Sequence, residues 1–282
     1  MQVPHSFAAR LAPHRGAMLA LAALLLIVLA LVFGPLLSPH AVDSIDFDGD
    51  WATAPSLVNT HWFGTDSLGR DVLVRTLEGG RISLLVAFAA TLVSLLIGVA
   101  YGAVAGYFGG AIDEWMMRAV DILYALPFLF LVILLMVLFG RNLVLVFVAI
   151  GAINWLDMAR VVRGQTLALR EREFITAART HGMDDVVILL RHILPNLAGV
   201  VLVTVTLTIP QVILTESFLS FLGLGVQEPA TSWGTLINQG AREMEATPWA
   251  LLFPASLMAL TLLCFNLLGD ALRDVLDPRE SA

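Results

Sequence analysis

Lysine is absent from this chain, and all 16 of its basic residues are arginine. Without lysine the chain cannot supply the phosphate-binding residue of a P-loop or the amine of a Schiff base. Cysteine occurs once, at Cys264 inside an apolar run, which excludes an intrachain disulfide and a cysteine-based zinc site. The sequence also lacks the Gly-x-Ser-x-Gly elbow of hydrolases and the His-Glu-x-x-His motif of metalloproteases.

Charged residues are scarce, at 14% of the 282 residues, while 58% are hydrophobic. Soluble domains carry about 25% charged residues. A globular protein of this size could not bury so much apolar surface and still present a polar exterior. The composition therefore predicts an integral membrane protein. The arginine-rich patches are short and interrupted by acidic residues, which argues against nucleic-acid binding.

Six apolar stretches are long enough to cross a hydrocarbon core about 30 Å thick, which takes around 20 helical residues. They lie at about 17–37, 83–106, 115–139, 143–162, 197–220 and 249–269. Pro127, Pro210 and Pro254 fall inside these stretches, and we expect each to kink its helix without breaking it. The predicted fold is an all-α membrane domain of six helices over residues 17–282, preceded by a tail at 1–16.

The first stretch could instead be a cleaved signal peptide, since Arg10 and Arg15 precede it. Its apolar run of about 20 residues is longer than a signal peptide's usual 7–15. The small-residue cleavage site expected after it is poor at Ser38 and Pro39. We therefore expect this stretch to remain as a membrane helix.

Arginine placement predicts the orientation of the chain, because basic residues favour the cytoplasmic side. With the N-terminus inside, eleven arginines lie on the cytoplasmic side and five outside. The first outer loop is also acidic, with Asp43, Asp46, Asp48 and Asp50 close together. Both termini are then cytoplasmic, with a long inner loop at 163–196 and long outer loops at 38–82 and 221–248.

The inner loop predicts two short helices that meet at Gly182. Its first half contains good helix formers and ends at this glycine, as helix C-termini prefer. Its second half starts with Asp184 and Asp185, which favour a helix N-terminus, and it stops at Pro195. Both halves are too polar to span a bilayer. Taken alone, they suit equally a docking platform and a linker on the membrane surface.

Five positions in this loop resemble the "EAA" loop of permease subunits of ABC importers: Glu173, Ala177, Ala178, Gly182 and Pro195. The small alanines would let another surface approach closely. The resemblance implies that the loop forms a coupling helix seated in a cleft of a separate ATPase subunit. It also implies a six-helix permease fold and alternating access between two sides of the membrane.

Other segments are similar to the C-type permease of the peptide and nickel importers. They are residues 61–71 (HWFGTDSLGRD), 216–225 (ESFLSFLGLG) and 269–278 (GDALRDVLDP). Residues 155–160 (WLDMAR) and 227–234 (QEPATSWG) are most similar to the oligopeptide branch. Dipeptide, nickel, glutathione and antimicrobial-peptide importers share the architecture and remain alternatives.

The resemblance implies a set of partners. They are a homologous second permease, two ATPase subunits that bind ATP and magnesium, a periplasmic or lipid-anchored binding protein, the peptide substrate and membrane lipid. This chain itself would hold no cofactor and no catalytic site, and it would lie in the bacterial cytoplasmic membrane.

Gly98, Gly102 and Gly106 are each four residues apart, which places them on one face of the second predicted helix. A stripe of small residues lets two membrane helices approach closely. The partner could be a helix of this subunit or of a sister permease.

Carboxylates within the predicted spans are few, and such residues are functional candidates by default. We expect Asp121 and Asp157 to pair with Arg118 and Arg160, one helical turn away. Glu216 lies toward the outer end of the fifth span, beside Ser217 and Ser220. These three residues could face the substrate path or gate, or Glu216 could make a structural hydrogen bond.

The six histidines show no metal-ligand spacing; His181 and His192, for example, lie on separate short helices. Two other classes of membrane protein fit the sequence less well. A secondary transporter would need ionisable groups near the midplane, which here is almost purely apolar. An intramembrane enzyme would need a nucleophile and base within its spans, and none is found.

Overall fold

The computed structural model describes residues 14–42, 44–45, 51–58, 60–140, 143–228 and 230–276. Within these ranges the secondary structure is helical apart from one isolated β-bridge between Thr65 and Asp71. The helices are α1 (Arg15–Leu37), α2 (Val72–Phe108), α3 (Gly110–Tyr124), α4 (Phe128–Phe139), α5 (Leu143–Arg170), α6 (Glu173–Thr180), α7 (Asp185–Ile188), α8 (Leu194–Phe221), α9 (Trp233–Arg242) and α10 (Pro248–Leu276). Thirteen residues of the predicted N-terminal tail, the acidic positions 43, 46, 48 and 50, and the last six residues lie outside the described ranges.

Four helical stretches in the described residues have the length and hydropathy of a membrane span: α1, α2, residues 185–221 and α10. A fifth results if α3 and α4 together form one span. The predicted fourth span lies on α5, which has 28 residues. The all-helical membrane fold is therefore confirmed, while the count of six spans stays a prediction.

Pro127 breaks its helix, so the predicted kink is wrong. Helix α3 ends at Tyr124, α4 begins at Phe128, and their axes differ by 78°. Proline cannot donate a backbone hydrogen bond and disfavours helical geometry in the residue before it. Here Pro127 adopts an extended ψ of 113° and becomes the N-cap of α4. Pro210 and Pro254, in contrast, lie buried inside continuous helices, as predicted.

Helix α2 begins eleven residues before the predicted span, so it is 37 residues long. The Asp71 side chain caps its first turn by accepting a hydrogen bond from the backbone N–H of Val74, at 2.8 Å. The sequence predicts that residues 72–82 lie in the outer loop, but they are helical and α9 packs over them. The indole nitrogen of Trp233 donates to the carbonyl oxygen of Thr76 at 3.0 Å.

The second half of the inner loop does not stop at Pro195, which corrects that expectation. A π-helical turn at Leu189–Ile193 joins α7 to α8, and Pro195 lies in the first turn of α8. Proline fits a first helical turn because its missing N–H has no helical partner there. The inner loop therefore continues directly into the fifth predicted span.

Buried apolar side chains of the described residues form a large cluster, a second one beside the predicted inner loop, which we call the inner cluster, and a small one of Ala17, Ala271 and Leu272. The large cluster joins α1, α2, α4, α5, α8, α9 and α10, with Trp233 fully buried in it. The inner cluster joins the ends of α2 and α5 to α6 and α7, and it includes Tyr107, Ile175 and Ile188. Many large apolar side chains still face outward, such as Leu37 at 83% exposure and Val137 at 76%. Such an exterior suits contact with lipid.

Candidate functional site

Gly182 ends helix α6 in a left-handed conformation, with φ of +75°. The backbone N–H groups of Met183 and Gly182 donate to the carbonyls of Ala178 and Arg179, at 3.1 and 2.9 Å. This hydrogen-bond pattern is typical of a glycine that ends a helix. Within the described part of the chain, a β-carbon at Gly182 would have no heavy atom within 4 Å. The structure therefore places Gly182 at an open turn between α6 and α7, and its part in coupling stays a prediction.

The two alanines of the motif differ in exposure. Ala178 and Ile175 are buried and pack into the inner cluster. Ala177 and Glu173 are exposed. Ala177 therefore leaves room for a partner on the exposed face of α6, and Ala178 lets α6 pack close to the membrane helices.

Tyr107, at the inner end of α2, contacts the loop on both sides of Gly182. Its hydroxyl donates a hydrogen bond to Asp185 Oδ1 at 2.5 Å. The guanidinium of Arg179 lies over its ring, 5.0 Å from the centroid, within the range of a cation–π interaction. Sequence reasoning missed Tyr107, because its two partners lie more than 70 residues away along the chain.

Two further arginines hold the inner ends of the long helices together. Arg163 on α5 forms a bidentate ion pair with Asp113 on α3, at 2.5 and 2.6 Å. Arg170, at the end of α5, donates to the backbone carbonyls of Gly106 and Tyr107, at 3.4 and 3.3 Å. A paired guanidinium and carboxylate of this geometry fix orientation as well as adding energy.

The glycine stripe of α2 lies against α5 of the same chain. A β-carbon on Gly98 would lie 2.6 Å from Met158 Cβ, and one on Gly106 would lie 2.8 Å from the carbonyl oxygen of Arg163. Gly102 packs as closely against the backbone of Ala159. This arrangement corresponds to the first of the two alternatives, packing within the subunit.

Glu216 is fully buried inside the subunit. Its carboxylate accepts hydrogen bonds from Ser83 Oγ at 2.9 Å and Ser220 Oγ at 2.6 Å. Ser83 Oγ in turn accepts from the backbone N–H of Trp233 at 3.2 Å. Glu216 therefore connects α2, α8 and α9 on the side of the predicted outer loops. This matches the alternative in which Glu216 makes a structural hydrogen bond. Ser217 Oγ contacts Met258 Sδ at 3.3 Å, and a role for these residues in the path stays a prediction.

The predicted pairs of Asp121 and Asp157 are wrong. Arg160 on α5 binds Asp121 on α3 at 2.7 Å, and Asp157 accepts a hydrogen bond from the Tyr124 hydroxyl at 2.6 Å. Arg118 lies 5.4 Å from the ring centroid of Trp115 instead. Because α3 and α5 lie side by side here, contacts between helices replace those within a helix.

His40, His61 and Asp71 come together near the outer end, with one possible ligand atom from each within 4.8 Å of the others. His61 Nδ1 lies 2.9 Å from Asp71 Oδ2, and the two imidazole rings stack with an interplanar angle of 22°. An imidazole binds a metal along a lone pair in its ring plane. A metal in the plane of one stacked ring lies outside the plane of the other, so we assign no metal to this cluster.

The two predicted outer loops meet at the end of the bundle opposite α6. Arg70 Nε donates to Asp66 Oδ2 at 2.7 Å, and Arg70 Nη1 donates to Glu228 Oε1 at 3.0 Å. The hydrogen bond from Arg70 lowers the pKa of the Glu228 carboxyl below its ordinary value. Arg75 Nη2 also donates to Gln239 of α9 at 3.1 Å. The outer ends of α2 and α9 are thus connected by polar contacts.

This arrangement of long apolar helices and a short amphipathic inner loop is that of an ABC importer permease. A family model described as "Binding-protein-dependent transport system inner membrane component" matches residues 98–282. A second, described as "N-terminal TM domain of oligopeptide transport permease C", matches residues 5–55. The chain therefore belongs to the binding-protein-dependent permease family of bacterial ABC transporters, and it is a non-catalytic, multi-pass membrane subunit.

Curated relatives match nearly the whole chain. The oligopeptide transport system permease protein OppC of Escherichia coli strain K12 is 53% identical, over 95% of this chain and 88% of that protein. OppC of Haemophilus influenzae is 50% identical over 95% and 86%. The dipeptide transport system permease protein DppC of Bacillus subtilis is 48% identical over 96% and 84%.

A solved structure supports the fold independently. The MetNI methionine ABC transporter, in an inward-facing conformation, matches with a TM-score of 0.57 and 19% identity. The match covers 71% of this chain and 96% of that chain. At this identity the likeness concerns the fold alone.

Proposed function

We propose that this chain is the C-type permease subunit of an ATP-driven importer that moves oligopeptides across the bacterial cytoplasmic membrane. The observation that carries the substrate class is the identity of 50–53% to permeases named for oligopeptide transport. Dipeptide import is the second candidate, because the DppC relative is nearly as similar, at 48%. Nickel and glutathione are further alternatives with the same architecture, and a secondary transporter is the more distant one.

In this proposal the chain works by alternating access with several partners. It pairs with a homologous permease, so that the peptide path runs between the two subunits, and a binding protein delivers peptide to the outer loops. Two ATPase subunits bind ATP and magnesium, and one docks against α6 of this chain. The exposed face of the loop supports such docking, since it carries Glu173, Ala177 and the apolar side chains of Phe174, Met183 and Val186.

The proposed orientation has both termini and residues 163–196 in the cytoplasm, as the arginine distribution predicts. Single cysteines at Leu57, which is 88% exposed, and at Thr180, which is exposed, can test it in a Cys264→Ser background. An impermeant thiol reagent added to intact cells should label Leu57→Cys and not Thr180→Cys. The reverse labelling pattern would invert the topology.

The function itself is tested by reconstituting the complete complex in vesicles. Labelled oligopeptides should enter only with ATP, and the binding protein should stimulate ATP hydrolysis. Dipeptides, nickel ions and glutathione, offered separately as competitors, distinguish the alternatives. Because this chain has no P-loop, the purified subunit alone should not hydrolyse ATP. Peptide uptake that persists without ATP would favour a secondary transporter and contradict the proposal.

A further inference from the structure

We infer that Tyr107 is the positioning residue through which movement of the inner loop enters helix α2. This inference rests on the importer function proposed above. Tyr107 touches neither substrate nor nucleotide in this scheme. It acts by holding α6 and α7 at a fixed position relative to a membrane helix.

The contacts of Tyr107 reach both halves of the loop around its one open turn. Asp185, the first residue of α7, accepts the hydrogen bond from the hydroxyl at 2.5 Å. Arg179, in the last turn of α6, covers the ring at 5.0 Å. Gly182 lies between these two partners and leaves the angle between α6 and α7 free to change. Tyr107 thus restrains that angle through one side chain.

The backbone of Tyr107 is held as well. Its carbonyl oxygen accepts a hydrogen bond from Arg170, the last residue of α5. The side chain is only 2% exposed and packs in the inner cluster with Ile175 and Ile188. A displacement of α6 therefore cannot be absorbed by rotation of a loose side chain, because interiors are close-packed.

Helix α2 can carry that displacement to the outer end. Its 37 residues make an uninterrupted helix about 55 Å long. At its outer end it bonds to α9 through Trp233, which donates to Thr76, and to α8 through Ser83, which donates to Glu216. A tilt that begins at Tyr107 would therefore move the elements that connect the two outer loops.

A purely structural role for Tyr107 makes a different prediction. If the side chain only fills the inner cluster, phenylalanine should replace it fully, because the ring and its contact with Arg179 remain. If the hydroxyl transmits position, Tyr107→Phe should assemble normally and lose the link to Asp185. The two roles are separated by the number of ATP molecules hydrolysed per peptide imported.

The experiment compares reconstituted complexes of wild type, Tyr107→Phe, Asp185→Ala and the double variant. We expect ATP hydrolysis to continue in each variant while the ATP consumed per peptide rises at least about tenfold, the lower bound for loss of a hydrogen bond to a charged group. The double variant should be no worse than either single variant, because both remove the same bond. Asp185→Asn keeps an acceptor oxygen but loses the charge, so it should restore part of the coupling.

Tyr101→Phe is the matched control, since Tyr101 lies on the same helix and its hydroxyl donates to the Met116 carbonyl at 2.8 Å. It should leave the coupling ratio unchanged. Wild-type coupling in Tyr107→Phe, or additive effects in the double variant, would overturn the inference while leaving the importer function intact. A wild-type complex that imports no peptide would overturn the importer function itself, and the inference with it.

Discussion

Gly182→Val tests whether the open turn of the inner loop must accept a close-fitting partner. Glycine adopts positive φ at no steric cost, whereas a left-handed conformation costs another residue about 1–2 kcal/mol. The φ of Gly182 is +75°, and a β-carbon there would meet no heavy atom of the described residues within 4 Å. The cost to folding should therefore be limited to about 1–2 kcal/mol of backbone strain.

The effect on transport should be much larger than that strain. In the complex proposed above, a branched side chain projecting from the turn would meet the ATPase surface. We expect Gly182→Val to insert and fold, to lose most peptide uptake, and to lose stimulation of ATP hydrolysis by the binding protein. Glu173 is exposed, and we expect it to pair with a basic residue of the ATPase. Glu173→Ala should act in the same direction more weakly, because an exposed ion pair contributes only about 0–1 kcal/mol.

Gly140→Val is the matched control for backbone strain. Gly140 also has positive φ, at +81°, and among the residues that the structure describes an added β-carbon would likewise have no heavy atom within 4 Å. It ends α4, at the end of the bundle away from the inner loop. Uptake and ATPase rates should be measured together with co-purification of the ATPase subunits. Normal uptake by Gly182→Val would refute the coupling role and make the loop a linker, whereas equal losses in both variants would assign the effect to strain.

Three further predictions follow from packing and charge. Gly102→Val should separate α2 from α5, because its side chain would overlap the backbone of Ala159. We expect thermal unfolding in detergent to show a stability loss of about 1–3 kcal/mol, and an unchanged melting temperature would contradict this packing. Glu216→Leu should lower the free energy of unfolding by about 1–3 kcal/mol, because it leaves buried hydroxyls without an acceptor. Glu216→Gln should keep both stability and uptake. Lost uptake in a stable Glu216→Gln would instead favour a role in the substrate path. Glu228 has a lowered pKa through its hydrogen bond to Arg70. Its stabilising contribution is therefore complete above the ordinary carboxyl pKa and is lost as the pH falls through the lowered pKa. Glu228→Gln should remove that part of the acid dependence of outer-loop proteolysis, and an unchanged acid profile would contradict this prediction.

Several features of this protein follow from local sequence. The apolar runs of α1 and α10 predict membrane helices because length and hydropathy decide whether a segment can cross a bilayer. The turn at Gly182 is predicted because glycine ends helices in the left-handed conformation, and its φ of +75° has that sign. Membership in the permease family is likewise carried by short motifs along the chain.

Other features depend on what lies beside a residue in space. Pro210 and Pro254 remain inside continuous helices, while Pro127 breaks its helix by 78°. The hydropathy of the surrounding residues does not tell which of these three prolines breaks its helix. The early start of α2 is similarly invisible in sequence, since a polar stretch becomes helical when α9 covers it and Trp233 bonds to its backbone.

The side-chain pairs near the predicted inner loop show most clearly that sequence spacing alone does not determine contacts. Arg160 could pair within its own helix with Asp157, yet it binds Asp121 across to α3. Tyr107 finds Asp185 and Arg179 only because α6 and α7 fold back against α2. Spacing along a helix limits which neighbours a side chain can reach, but packing between helices selects among them. The local elements are therefore encoded in short segments, whereas the contacts that connect the loop to the membrane helices arise only in the tertiary structure.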